Sequence, residues 1–164
     1  MGVPKTLVSD LIPFLDAAIA QYHLHSTDSP VNLQSLLNEL NINLKYSPIS
    51  LGIHGYSFWD SDLDPQMTIN IRERRHQQRS TEAHELIHIV KHAPGHERYS
   101  FDGQPDDLKE AEADYGAAYL LVPLRVLKER VRAGLTFEQI AGELEVTKSL
   151  VYKRYEIALA RREL

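Results

Sequence analysis

The segment "RSTEAHELIHIVKH", Arg79 to His92, constrains this chain more than any other stretch. On an α-helix, residues four apart share a face, with their Cβ atoms about 6 Å apart. His84 and His88 would therefore stand side by side, while Leu86, Ile87, Ile89 and Val90 supply apolar surface to bury. Imidazoles next to buried surface need partners, and a metal ion about 2 Å from both is one such partner. Glu85 follows the first histidine directly, so it would lie beside the ion and could take a proton from water there. This is the physical content of a His-Glu-x-x-His pattern. Ser80 or Thr81 reads as the helix cap, Glu82 as a first-turn acid, and Pro94 and Gly95 as the stop.

The absence of cysteine means that any metal site must draw on His, Asp or Glu. A formal charge of −5 argues against a protein that coats nucleic acid through bulk electrostatics. No apolar run approaches the ~20 residues of a membrane span. No basic segment followed by an apolar stretch opens the chain. The expectation is a cytoplasmic protein with no membrane partner.

The remaining pattern predicts an α+β fold. "TLVSDLIPFLDAAIAQY" has helical spacing interrupted by Pro13, and "VNLQSLLNELN" reads as a short amphipathic helix. "INLKYSPI", "GIHGYSFW" and "QMTINIR" read as three strands of a small, mostly antiparallel sheet. That sheet would pack on the His-Glu-x-x-His helix, and Met67 to Ile71 would offer an edge to which an extended substrate could add. "DLKEAEADYGAAYLLVP" and "LRVLKERVRAG" are further helices. "TFEQIAGELEVTKSLVYKRYEIALARREL" reads as two more, split near Val146 and Thr147, with helix-turn-helix character. Residues 1–133 would form the core and residues 134–164 a helical extension packed on it.

A catalytic zinc takes three protein ligands and keeps one open position. A third histidine ten residues after His84 is ruled out, because Pro94 stands there. His92 and His96 read as helix-end and loop residues. The segment "KEAEADYG" offers Glu110, Glu112 and Asp114. Glu112 is preferred, since the small Ala113 and Ala117 would let its helix lie close to the first. Two imidazoles and one carboxylate suit zinc better than manganese. Tyr99, Tyr115 and His96 are candidates for contact with substrate or a developing oxyanion.

Two segments together resemble the ImmA/IrrE family of metallopeptidases. One is the Thr-x-Ala-His-Glu-Leu-x-His run, here Thr81 to His88. The other is "EADYGAAYLLVP", Glu112 to Pro123, which matches a Glu-Ala-Asn/Asp helix running into Leu-Leu-x-Pro. "MTINI" and "VNLQSLLNELNINLKY" add to the likeness, which covers roughly residues 30 to 155. The resemblance implies a zincin-like fold with His84, His88 and Glu112 as ligands and Glu85 as the catalytic carboxylate. It further implies an endopeptidase whose substrate is a transcriptional repressor of a phage, a mobile element or a stress response, itself a helix-turn-helix protein. Ile87 stands where the family often has Gly, and Gly116 where it often has Phe.

The alternative function is a regulatory module that binds DNA or a protein partner, with a structural metal or negligible cleavage. Lys148, Lys153 and Arg154 would then meet phosphates. The intact Glu85 favours the enzyme, because a structural metal site has no need of a base there.

Overall fold

A computed structural model of the chain describes residues 3–5, 7–59, 62–92 and 107–164. In chain order a π-helical turn, Leu7–Leu11, runs into α1, Ile12–Gln21, and α2, Gln34–Glu39, follows. Strands β1, Asn43–Ser47, β2, Gly55–Phe58, and β3, Gln66–Asn70, come next. Among the described residues five helices follow: α3, Arg75–Lys91, α4, Asp107–Leu121, α5, Leu124–Arg132, α6, Phe137–Leu144, and α7, Lys148–Ala160. Among the described residues no helix is long and apolar enough to cross a membrane.

The fold is α+β, but the sheet is mixed rather than mostly antiparallel. Its order is β1-β3-β2, with β1 parallel to β3 and β2 antiparallel to it. β3 is therefore the central strand, paired on both sides, so Met67 to Ile71 is no free edge. The outer edges belong to β1 and β2. Asn70, at the end of β3 and 3% exposed, explains part of this order. Its amide donates to Ile53 O at 2.8 Å, and its carbonyl accepts from Arg72 N at 3.1 Å. It thereby organises the backbone between β1 and β2 so that β2 can return on the far side of β3.

Met67 and Ile69 are fully buried under α3, each worth about 1.5–3 kcal/mol of apolar burial. β1 is tied to the same helix by Tyr46, whose hydroxyl donates to Glu82 Oε1 at 2.5 Å. β2 approaches α3 more closely than a larger residue would allow. A Cβ at Gly55 would fall 2.8 Å from Thr81 Cγ2 and 2.8 Å from Thr68 O. Glycine at this one position presses the edge strand against the histidine-bearing helix.

Helix α3 begins two turns earlier than its hydroxyl residues suggest. Ser80 and Thr81 do not cap it; each side chain donates to the carbonyl four residues back, on His76 and Gln77. Pro13 lies in the first turn of α1, directly after the π-helical turn, so the helical run changes its pattern beside the proline. The C-terminal pair does divide where expected. Thr136 and Gln139 form a capping box at α6, and Glu145 ends it in the left-handed conformation at φ 51°.

The second helix of that pair is largely buried. Leu150, Val151, Ile157 and Ala158 of α7 are at most 5% exposed, the first three join the main core, and α7 packs on α4. Two hydrogen bonds hold the turn before α7 to α3: Arg79 Nε to Glu145 O at 3.1 Å, and Thr147 N to Ser80 Oγ at 3.1 Å. Arg154 is 2% exposed and donates to Val122 O, with its guanidinium 4.6 Å from the Tyr119 ring centroid.

Candidate metal centre

The site forms where α3 and α4 meet. Ala83, Ala113 and Ala117 are fully buried, and Gly116 packs on Ile87, so the two helices lie close. His84 and His88, one turn apart, bring their Nε2 atoms to 3.0 Å. Glu110 of α4 completes the group. Its Oε2 lies 3.2 Å from His84 Nε2 and its Oε1 3.3 Å from His88 Nε2. These are the residues that could hold a metal ion among the described residues, with all three donor atoms within 4.8 Å of one another. Donors each about 2 Å from a tetrahedral ion stand about 3.3 Å apart. The two imidazole nitrogens stand 3.0 Å apart, and the Glu110 carboxylate meets one through each of its oxygens, so the three side chains are near enough for one cation to lie between them.

The third carboxylate is where the sequence-based expectation and the geometry differ. Glu112, preferred from its small neighbours, is 4% exposed and faces His92, with Oε2 3.0 Å from His92 Nε2. Glu110 and Asp114 are one helical turn apart and share the face toward the histidines. Glu112 lies off that face. Glu110 and Asp114 repeat on α4 the four-residue spacing of the histidines on α3. Asp114 Oδ1 lies 2.8 Å from His84 Nδ1, and its Oδ2 is 3.0 Å from Lys153 Nζ of α7. His92, read from the sequence as a helix-end residue, brings its Nδ1 to 2.8 Å from His88 Nδ1.

These contacts fix the electrostatics. Burial is the largest influence on His84 and works to lower its pKa. The bonds to Asp114 and Glu110 outweigh it, and the imidazole is pushed up to about 9. Burial likewise works to raise Glu110 and Asp114, but the histidines hold both below the ordinary carboxylate range. His92 moves the other way. Burial lowers it, and the bond to Glu112 only partly compensates.

Glu85 is 3% exposed, and its Oε2 accepts from Ser57 Oγ of β2 at 2.6 Å. No sequence pattern pointed to Ser57. Tyr115, a candidate oxyanion donor, gives its hydroxyl to Glu156 Oε2 at 2.7 Å, toward α7. Tyr99 and His96 lie outside the described residues. Of the cations expected to meet phosphates, Lys153 is engaged with Asp114, Lys148 pairs with Glu138 at 3.1 Å, and Arg154 is buried.

Beside the histidines lies a cleft of about 440 Å³. The cleft is lined by Gly55 of β2 and residues just before it, by α3, and by Thr147 with Ser149, Leu150 and Lys153 of α7. A buried carboxylate beside a cation-sized group of donors, opening onto a cleft along an edge strand, can bring water and an extended chain to one point.

Residues 37–156 match the sequence model of a peptidase family, described as the IrrE N-terminal-like domain. No curated protein matches the chain.

Proposed function

The chain belongs to the ImmA/IrrE family of peptidases, and from that premise we propose that it is a zinc-dependent endopeptidase whose substrate is a transcriptional repressor. The observation that carries this reading is the meeting of His84 Nε2 and His88 Nε2, 3.0 Å apart, with the Glu110 carboxylate, whose Oε2 lies 3.2 Å from the first and Oε1 3.3 Å from the second. His84, His88 and Glu110 would hold the ion. When bound, zinc acidifies water toward a pKa of about 7 and polarises a carbonyl. Glu85, steadied through Oε2 by Ser57, would take the proton from water and pass it to the leaving amine. The substrate would run along the outer edge of β2 by strand addition, with a side chain in the cleft.

Residues 1–133 would act as the peptidase core, and residues 134–164 as a packed extension that walls the cleft. The repressor as substrate rests on the family likeness. Against the DNA-binding alternative stand the inward-facing Arg154 and the pairing of Lys153 with Asp114, which leave α7 little basic surface for a groove.

Zinc content and cleavage of a repressor encoded beside the gene test the reading together. His84→Ala and Glu110→Gln should lose zinc. Glu85→Gln should keep zinc and lose cleavage. Stoichiometric zinc in His84→Ala would overturn the ligand assignment.

A further inference from the structure

Three imidazoles run along α3 at four-residue intervals, and the metal reading uses two of them. The third, His92, is not a solvated helix end. Its side chain is 8% exposed, and that of its partner Glu112 is 6% exposed. A carboxylate and an imidazole this deeply buried cost several kcal/mol of lost hydration unless hydrogen bonds satisfy them.

The nitrogen positions allow one consistent assignment of hydrogens. For His88 to present Nε2 as an electron-pair donor, its hydrogen must sit on Nδ1. His88 Nδ1 lies 2.8 Å from His92 Nδ1, so His88 donates and His92 accepts. The hydrogen of neutral His92 is then on Nε2, which lies 3.0 Å from Glu112 Oε2 and donates to it. The carboxylate thus stands at the end of a chain Glu112, His92, His88.

On the same reading of His84 and His88 as ligands, we propose that His92 and Glu112 are positioning residues of the metal site. They hold His88 in its Nδ1–H form and fix the plane of its ring. Asp114 does this for His84 through a single bond of 2.8 Å. For His88 the carboxylate acts at one remove, through an intervening imidazole. His92 is also the residue on which α3 ends. Helix ends fray, so the bond to Glu112 pins to α4 the turn that would otherwise loosen His88. Outer partners of metal-bound histidines raise ligand basicity and orient the ring, and their loss costs about 10–100-fold in metal affinity.

The test uses the full chain with zinc alone. In the zinc-loaded wild type, long-range proton–nitrogen NMR of the imidazoles should find His88 protonated on Nδ1 and His92 neutral and protonated on Nε2. A His92 protonated on Nδ1 would overturn the proposal without need of any variant. Zinc affinity, measured by chelator competition, should fall about tenfold or more in His92→Leu and Glu112→Met. It should stay within about threefold of wild type in His92→Gln, whose amide can accept from His88 and donate to Glu112. A purely structural role would not separate Gln from Leu in this way once apo stability is matched. Wild-type affinity in His92→Leu overturns the proposal. Stoichiometric zinc in Glu110→Gln together with its complete loss in Glu112→Met makes Glu112 itself the ligand, which overturns it too. A wild type that takes up no zinc sinks the metal reading itself.

Discussion

Ile87 of α3 fills the space that a side chain at position 116 would need. A Cβ at Gly116 would fall 2.8 Å from Ile87 Cγ1 and 3.0 Å from Leu11 Cδ2. The two positions that the sequence reading set apart from the family pattern, Ile87 and Gly116, are therefore one contact. A larger residue where glycine is common faces glycine where phenylalanine is common, so volume is exchanged between α3 and α4 while the helices stay close enough to share a metal ion.

A double-mutant cycle should expose that exchange. Gly116→Phe should destabilise by about 3 kcal/mol or more through overpacking. Ile87→Gly should cost a similar amount, through a cavity and a helix-interior glycine. The double variant should recover at least about 1 kcal/mol relative to the sum. Urea unfolding of the four proteins measures this, and simple additivity would show that the two sites do not compensate.

Ser57 should matter to turnover and not to metal content. Its hydroxyl holds one oxygen of Glu85 at 2.6 Å. Ser57→Ala should lower kcat about tenfold by loosening the base, with zinc content unchanged. Wild-type kcat would mean that the contact is idle.

The C-terminal pair should prove inseparable from the core. Leu150, Val151 and Ile157 are buried at 5% exposure or less, and together account for about 5–9 kcal/mol. That is comparable to the whole stability of a typical domain, about 5–15 kcal/mol. A chain ending after Ala133 should show no cooperative urea transition. A fragment that folds and takes up zinc like the full chain would show the pair to be dispensable.

His25 should make stability fall in mild acid. Its Nε2 lies 2.7 Å from Leu120 O, and burial, the largest influence, lowers its pKa below the model-peptide value of 6.5. With the folded value depressed, the unfolded chain binds the proton more readily. Stability is full above 6.5 and is lost as pH falls from there toward the folded value, at no more than about 1.4 kcal/mol per pH unit. His25→Gln should flatten part of the slope between about pH 7.5 and 5.5 in thermal unfolding. An unchanged slope would place the proton uptake elsewhere.

What could be read from the residues, and what could not, divides along the reach of the interactions. The histidine helix, its partner acids and the three strands are written in local spacing. The order of the strands is not, because the strand pairing joins backbone distant in sequence, as do the bonds of Asn70 to Ile49 O and Ile53 O. The length of α3 was obscured because Ser80 and Thr81 look like caps but bond back along the helix. Glu110 shares with Asp114 the face of α4 that meets His84. The small neighbours of Glu112 report how close the helices lie, and its carboxylate meets His92. Ser57 and Lys153 act across elements that no periodicity connects.

Under the proposed strand addition, the place of β2 at the rim of the sheet would limit what can be cut. A backbone can align there only if its own amides and carbonyls are unpaired, and a helix or an inner strand has none to offer. The scissile bond must therefore lie in a stretch already lacking regular structure, or in one that melts on arrival at about 1–2 kcal/mol for each residue then re-ordered. Tightly folded neighbours would pass by undamaged, and the choice of victim would depend on its looseness as much as on its sequence.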